Sequence, residues 1–537
     1  MSVRNGFVLL ITLSALTFLV ACGGGSGPAT AVAPPTGGFS KSNLNGPYVF
    51  SISGTDSAGA PLAAVGTFTA NGSGGINSGG VVDINDSEFT APAPNLTISG
   101  GSYSVGVDGR GQATLNVTNS PFNSSLVLDF VLSSSSHGLV IEFDGNASGS
   151  GTLDQQTVGV TPTGSYAFSL SGETYSSTPV IWATVGNFTL SGSTFTGTDD
   201  FNEGGVLPFP DQGLTGNFVL GPSSSPSTTL TTAGFNTLTF DVFAIDATHL
   251  KFIEMDQTAT LSGDAFAQTS AAMPIGTLAF TLSGATSSDV PFASGGFMTT
   301  TASGGVTGTE DYTDGTVIST QSTPAPFTAS YAAGGTGRFT LGTFTTFVPS
   351  TPTYAAYPSS GGLLLLEVDS LGITSGAAYA QTSPLPTFAS AQGYGLNLSG
   401  FNVTNSSEVD DIAEFTTGST GTLTAGIIDE NFPGAGTPLF DLPLTNGTYG
   451  TIDSLGRYGL SVQAGNSTTT TLNGGLVLTL YTVDGTTFPF IEMDGGQIAT
   501  GVVVEQNSSA ANPALAHSQM FISRTLVRSH AARQSKN

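Results

Sequence analysis

Between Tyr48 and Gln506 the chain runs four times through the same succession of short apolar patterns, and this repetition limits its fold more than any other feature. Each unit opens with large apolar residues at every second position: Tyr48, Phe50 and Ile52, then Tyr166, Phe168 and Leu170, then Leu278, Phe280 and Leu282, then Tyr394, Leu396 and Leu398. Period two marks a strand with one buried and one wet face. A second strand follows around Phe68, Phe188, Phe297 and Phe415. The closing segment is the most regular: Ile141-Glu142-Phe143-Asp144, Ile253-Glu254-Met255-Asp256, Leu366-Glu367-Val368-Asp369 and Ile491-Glu492-Met493-Asp494. A glutamine follows each glutamate at a fixed offset of 14 residues (Gln156, Gln268, Gln381, Gln506), although the glutamates themselves are 112, 113 and 125 residues apart. A constant offset inside a variable period locks the last two strands in register and sends insertions to the loops.

The first unit reads as eight strands, at 47–53, 62–70, 79–85, 96–106, 111–118, 126–133, 139–144 and 150–157, with Asp108-Gly109 as a tight hairpin turn. Consecutive hairpin-linked strands without a helix allow an up-and-down barrel or a sandwich. The barrel is preferred, because closure leaves no edge strand and the sequence places no lysines or inserted charges to guard one. The expected fold class is all-β: four tandem antiparallel domains of about eight strands, at 44–158, 159–271, 272–384 and 385–509. Short links, Val158 to Pro162 and Ser383 to Pro386, make them read as beads on a string. In size and strand count the units resemble the small ligand-holding barrels of the avidin and lipocalin families. That resemblance is architectural: Trp182 is the sole tryptophan, and neither an aromatic box for biotin nor a lipocalin signature is present.

Ahead of the repeats, Arg4 precedes an apolar run from Phe7 to Val20 that ends in Leu19-Val20-Ala21-Cys22. A positive start, a short apolar core and small closing residues form the pattern of a secretory signal, here residues 1–22. The last four residues resemble the lipobox of bacterial lipoproteins, which implies that the Cys22 thiol accepts a diacylglycerol and anchors the protein to a membrane. Each buried methylene of an acyl chain adds about 0.8 kcal/mol of membrane affinity. Cys22 is the only cysteine, so the mature chain has no thiol for a disulfide or a thiolate metal site. Residues 23–43, rich in Gly and Pro, read as a flexible spacer. By resemblance to other lipoproteins, Gly23 after the cysteine argues against retention at the inner membrane, so the outer membrane or cell surface is the expected location. The repeats also resemble Gly/Thr-rich lipoprotein repeats of soil bacteria, a resemblance that implies no activity.

Charge is unevenly placed. All 37 acids fall between Asp56 and Glu505, where the only cations are Arg110, Lys251, Arg338 and Arg457, so this body is 33 charges negative. Nucleic acid needs positive charge to displace counterions and is excluded as a partner. Solubility and mutual repulsion account for the acidity, and a monomer is expected. The tail, 510–537, reverses sign with Arg524, Arg528, Arg533 and Lys536, and reads as a frayed end.

Chemistry is sparse. Glu142 and Asp144, Glu254 and Asp256, Glu367 and Asp369, and Glu492 and Asp494 each share one strand face, and paired carboxylates could hydrolyse a glycosidic bond. Their recurrence in every unit, with no tryptophan platform for sugar, favours a structural role: the glutamate meets an arginine or backbone amides, and the aspartate caps a turn. Alternation with Ile253 and Met255, assigned to the core, turns Glu254 to the opposite face. A second cluster, Asp83-Ile84-Asn85-Asp86 with Asp200, Asn202, Glu203, Asp311, Asp314 and the weaker Asp429-Glu430-Asn431, supplies oxygen ligands for Ca²⁺ but fits no twelve-residue Ca²⁺ loop. His137 and His249 recur in two units only and read as hairpin positions. No nucleophile elbow, His-Glu-x-x-His or phosphate-binding loop is present, and no cofactor is implied. The leading expectation is a non-enzymatic, membrane-anchored protein in a binding, adhesive or structural role, its ligand unspecified. A polysaccharide hydrolase, and capture of a small ligand or Ca²⁺ inside the barrels, are the alternatives.

Overall fold

In every unit the first strand pairs antiparallel with both the second strand and the last, so each sheet closes on itself. The result, in a computed structural model, is four tandem up-and-down β-barrels of eight strands. It describes residues 38–120, 124–176, 179–204, 208–219, 227–232, 237–314, 323–335, 337–346, 351–383, 385–432, 438–465 and 470–509. The leader with Cys22, the spacer up to 37 and the basic tail lie outside the described residues. No α-helix occurs among the described residues. The first barrel uses Asn45–Asp56, Pro61–Asn71, Gly80–Asp86, Ala93–Tyr103, Arg110–Val117, Ser125–Leu132, His137–Glu142 and Ala147–Gln155, with a two-residue strand Gly75–Ile76 wedged beside the second. The other barrels occupy 164–267, 276–380 and 393–505.

Period-two patterning fills each barrel with its own side chains. Tyr48, Phe50, Phe68 and Phe130 pack the first interior; Tyr166, Phe168, Phe188 and Phe252 the second; Phe280, Phe327 and Leu365 the third; and Tyr394, Phe415, Tyr458 and Phe488 the fourth. The spacer ends earlier than residue 43. Phe39 is buried against the first barrel's core and its N–H donates to the Val107 carbonyl at 3.1 Å.

The barrels are not beads on a string. Separate apolar clusters join the first to the second (Val49, Val65, Phe243, Ile253), the second to the third and the third to the fourth (among them Val185, Tyr357, Phe297 and Tyr481), and the fourth back to the first (Val131, Ile141, Ile412, Val502). The four barrels therefore form a closed ring. This explains why the wet face expected on every strand is missing from half of them. His137–Glu142, His249–Glu254 and Thr487–Glu492 are buried at every position, because one face lines a barrel and the other a junction. Ala93–Tyr103 and Phe209–Phe218, on the outer rim, keep alternating burial.

Burial on both faces couples the barrels. The second barrel alone (159–271) would expose Val185, Phe243, Ile253 and Phe266, an apolar area that soluble monomers rarely carry, and is expected to self-associate. The intact ring should unfold in one calorimetric transition; four resolved transitions would show independent domains.

Candidate functional site

The repeated glutamates face inward, which corrects the expected orientation. Glu254 is in register with Phe240 and follows Phe252 on the lumen side, whereas Ile253 sits in the junction with the first barrel. The side chain's turn to the interior follows from the second barrier to solvent that the neighbouring barrel supplies: the outer face of this strand is as dry as the inner one. All four glutamates are at most 4% exposed. The Ala259 N–H donates to Glu254 Oε2 at 3.1 Å, the Asp144 N–H to Glu142 Oε1 at 3.2 Å, and the Thr374 hydroxyl to Glu367 Oε2 at 2.9 Å. Their aspartate partners accept from backbone N–H groups two residues on: Asn146 for Asp144, Thr258 for Asp256, Leu371 for Asp369 and Gly496 for Asp494.

The second acidic cluster meets these glutamates across the junctions. Asn85 of the first barrel donates through Nδ2 to the Glu254 carbonyl (2.6 Å), the Ala259 carbonyl (2.9 Å) and Glu254 Oε2 (3.3 Å) of the second. Asn202 does the same to the Glu367 and Gly372 carbonyls of the third, both at 2.9 Å. Asn431 of the fourth reaches the Glu142 carbonyl (2.7 Å), the Ala147 carbonyl (2.8 Å) and Glu142 Oε2 (3.2 Å) of the first. The fixed-offset glutamines run in the same direction. Gln156 Nε2 donates to the Ala244 carbonyl, Gln268 to Pro358, Gln381 to Leu455 and Thr482, and Gln506 to Asp108 and Leu132, at 2.6 to 3.0 Å. Each barrel thus clasps the next, and the fourth clasps the first.

The body's four cations complete the clasps, one to a junction. Arg338 of the third barrel holds Asp200 of the second through Nε (2.8 Å) and Nη2 (2.5 Å), with the Tyr357 hydroxyl on the same carboxylate. Arg457 of the fourth grips Asp311 of the third at 2.7 and 2.8 Å, joined by Tyr481. Arg110 of the first lies 3.4 Å from Asp429 of the fourth and 2.5 Å from Asp441. Lys251 of the second sits 3.7 Å from Asp154 of the first and 3.0 Å from Asp264. The two histidines flank this last pair: His137 Nδ1 is 2.7 Å from Asp154 and His249 Nε2 2.6 Å from Asp264, forming one buried chain of five groups. Burial alone would lift both aspartates, but His137 and Lys251 hold Asp154 below the carboxylate range, and Lys251 and His249 do so for Asp264.

Sequence reasoning found the glutamates, the acidic cluster and the glutamines, but not the cations. A signal existed, since Arg110, Arg338 and Arg457 each follow a glycine at the start of the equivalent strand.

Hydrolysis needs an acid and a nucleophile that touch a sugar, and these glutamates touch protein on every side. The space beside Glu142 and Asp144 is a cavity of about 20 Å³, room for roughly one water. Burial, and then the adjacent aspartate, pushes Glu254 up to about 10 and Glu367 to about 8, and raises Glu142 and Glu492 well above the usual carboxylate range. Asp200 and Asp311 are engaged by arginine, and no group of three or more potential metal ligands occurs among the described residues. A groove of about 450 Å³ opens between the fourth and first barrels, lined among others by Arg110, Gln112, Asp129, Asp429, Phe440 and Asp441. No helix among the described residues is long and apolar enough to cross a membrane.

No protein-family model matches the sequence, and no curated protein does. Among solved structures, a Nitrosomonas europaea protein assigned as AttH aligns at 8% identity over 64% of this chain and 92% of its own, with a TM-score of 0.16.

Removing one partner of a buried ion pair leaves a charge uncompensated, at a cost of about 3–5 kcal/mol. Arg338→Ala should lower the urea midpoint of the whole ring accordingly, and Arg338→Met combined with Asp200→Leu should recover much of the loss. An Arg338→Ala midpoint equal to the parent's would show that the junction does not rely on this pair.

Among the described residues the carboxyls of Asp56, Asp86, Asp129, Glu142, Asp199, Glu254, Glu367, Glu408, Asp410, Asp411, Glu414, Asp429, Glu492 and Glu505 are raised, chiefly by burial, while those of Asp154, Asp256 and Asp264 are lowered, so these groups together bind more protons in the folded chain than in the unfolded one above about pH 4.5. Stability must then fall as pH rises through the range from about 5 to 8, while the three lowered groups withdraw stability only in stronger acid. Melting temperature is expected to peak near pH 4–5; a peak at pH 7 or above would contradict this.

Proposed function

We propose that this chain is an exported lipoprotein, acylated on Cys22, that holds a ring of β-barrels at the outer membrane or cell surface in a binding or structural role. One observation carries the non-catalytic reading: the fixed-offset glutamines of all four units, and the asparagines of three of them, are occupied in holding barrel to barrel. The hydrolase alternative loses its support because the glutamate of each carboxyl pair is buried away from any polymer. Capture of a ligand inside the barrels loses its support because four aromatic-rich cores fill them. The acidic surface argues against nucleic acid and against direct adsorption to anionic lipid, so the acyl group is the membrane partner.

The anchor is tested by Cys22→Ala. Metabolic labelling with a radioactive fatty acid should vanish in this variant, and the protein should leave the membrane fraction. Persistent labelling would remove Cys22, and with it the lipoprotein reading.

A further inference from the structure

The junction between the fourth and first barrels departs from its siblings in two places. Where Tyr481 stands beside Arg457 in the strand register and bonds Asp311, Val131 stands beside Arg110 and offers no hydroxyl. Asp429 is therefore left with Arg110 at 3.4 Å instead of a two-pronged grip, and Arg110 Nε and Nη1 are buried atoms without a hydrogen-bond partner. The second departure is on the facing strand. Asn95, Asp211 and Asp441 occupy equivalent left-handed positions (φ 55°, 58° and 53°), and each donates its N–H to the aspartate of the acidic cluster. Proline precedes the first two, as Pro94 and Pro210; Phe440 precedes the third and is 65% exposed. Arg110 and Asp429, affected by the first departure, and Phe440, the second, line the same 450 Å³ groove.

The groove's chemistry is mixed. It offers the Arg110 guanidinium, carboxylates from Asp108, Asp129, Asp429 and Asp441, the Gln112 amide, and one exposed aromatic face. An anionic ligand would meet the carboxylates. A cationic one would meet Arg110 and leave its N–H groups unpaired. Vicinal hydroxyls donate and accept at once, and the C–H face of a pyranose covers an aromatic ring. We propose that this groove binds a neutral saccharide unit, laid on Phe440 with its hydroxyls against the paired Arg110 and Asp441 and the Asp129 carboxylate. The inference rests on the reading of the ring as a binding scaffold and names the ligand class of one site on it.

Calorimetric titration of the detergent-solubilised full chain with cellotetraose, maltotetraose and mannotetraose, beside a cationic glucosamine tetramer and an anionic galacturonate tetramer, tests it. At least one neutral tetrasaccharide should bind. Phe440→Ala should weaken that binding about tenfold, the scale of one lost stacking contact. Asp441→Asn should weaken it as well, and Ile275→Ala, an equally exposed apolar truncation outside the groove, should leave it unchanged. Phe440 is at the surface, so melting of Phe440→Ala should match the parent. No neutral binding at millimolar concentrations, binding indifferent to Phe440→Ala, or binding of a charged tetramer alone would overturn the proposal. In those cases a ring that still melts as a single unit would leave the scaffold reading standing.

Discussion

Thirty-seven carboxyl groups and four cations cannot be neutralised pairwise, so the placement of the four cations governs the architecture of the body. Each goes to a different junction and meets an aspartate from the barrel before it in the chain, the first barrel's Arg110 meeting the fourth's Asp429. A buried carboxylate is tolerated only if it is paired, hydrogen-bonded or protonated. The arginine pairs at Asp200 and Asp311 take the first course, with a planar guanidinium matching a carboxylate. The lumen-end glutamates take the last, keeping their protons in a dry environment. The ring is thus the condition under which so acidic a chain can bury its carboxyls.

Close approach between barrels is the second requirement, and the outer faces of the junction strands are built for it. Gly295 has no side chain because Tyr481 of the next barrel lies against it; a Cβ there would sit 2.3 Å from the ring. At the fourth-to-first junction the sizes are exchanged: Val131 is the small partner and Ile412 the large one, and the two pack in one cluster. Alanines at 167, 279 and 293 serve the same end, buried at the junctions rather than in any lumen. The small residues that alternate with aromatics in the opening strands are therefore a docking surface.

Much of the fold was legible because a barrel strand states its periodicity locally. The eight segments read from the first unit agree with the observed strands to within a few residues, and the one strand that escaped, Gly75–Ile76, is too short to carry a period. What a single strand does not state is which partner covers its second face. Alternation with a core Ile253 turns Glu254 outward, and Ile253 is core, but of a junction. The constant Glu-to-Gln offset likewise implies register within a unit, whereas Gln268 reaches the Pro358 carbonyl of the following barrel. The run Leu363-Leu364-Leu365-Leu366, apolar on both faces of one strand, was the available sign that a second surface had to be covered. The groove is not legible in the repeat because Phe440, and the valine that stands beside Arg110, are departures from it.

Four like barrels, each gripping the next in one rotational sense until the last grips the first, have the symmetry of a cyclic tetramer with head-to-tail interfaces. In a tetramer of separate identical chains every substitution appears at all four interfaces together, so none can be loosened without loosening the rest. Joined in one polypeptide, the interfaces vary independently. Three cation sites can be arginine and one lysine, a tyrosine can be kept at two junctions and reduced to valine at another, and a proline can become an exposed phenylalanine at a single corner. Covalent linkage thus gives the ring a front: one corner can specialise while the other three keep the assembly closed.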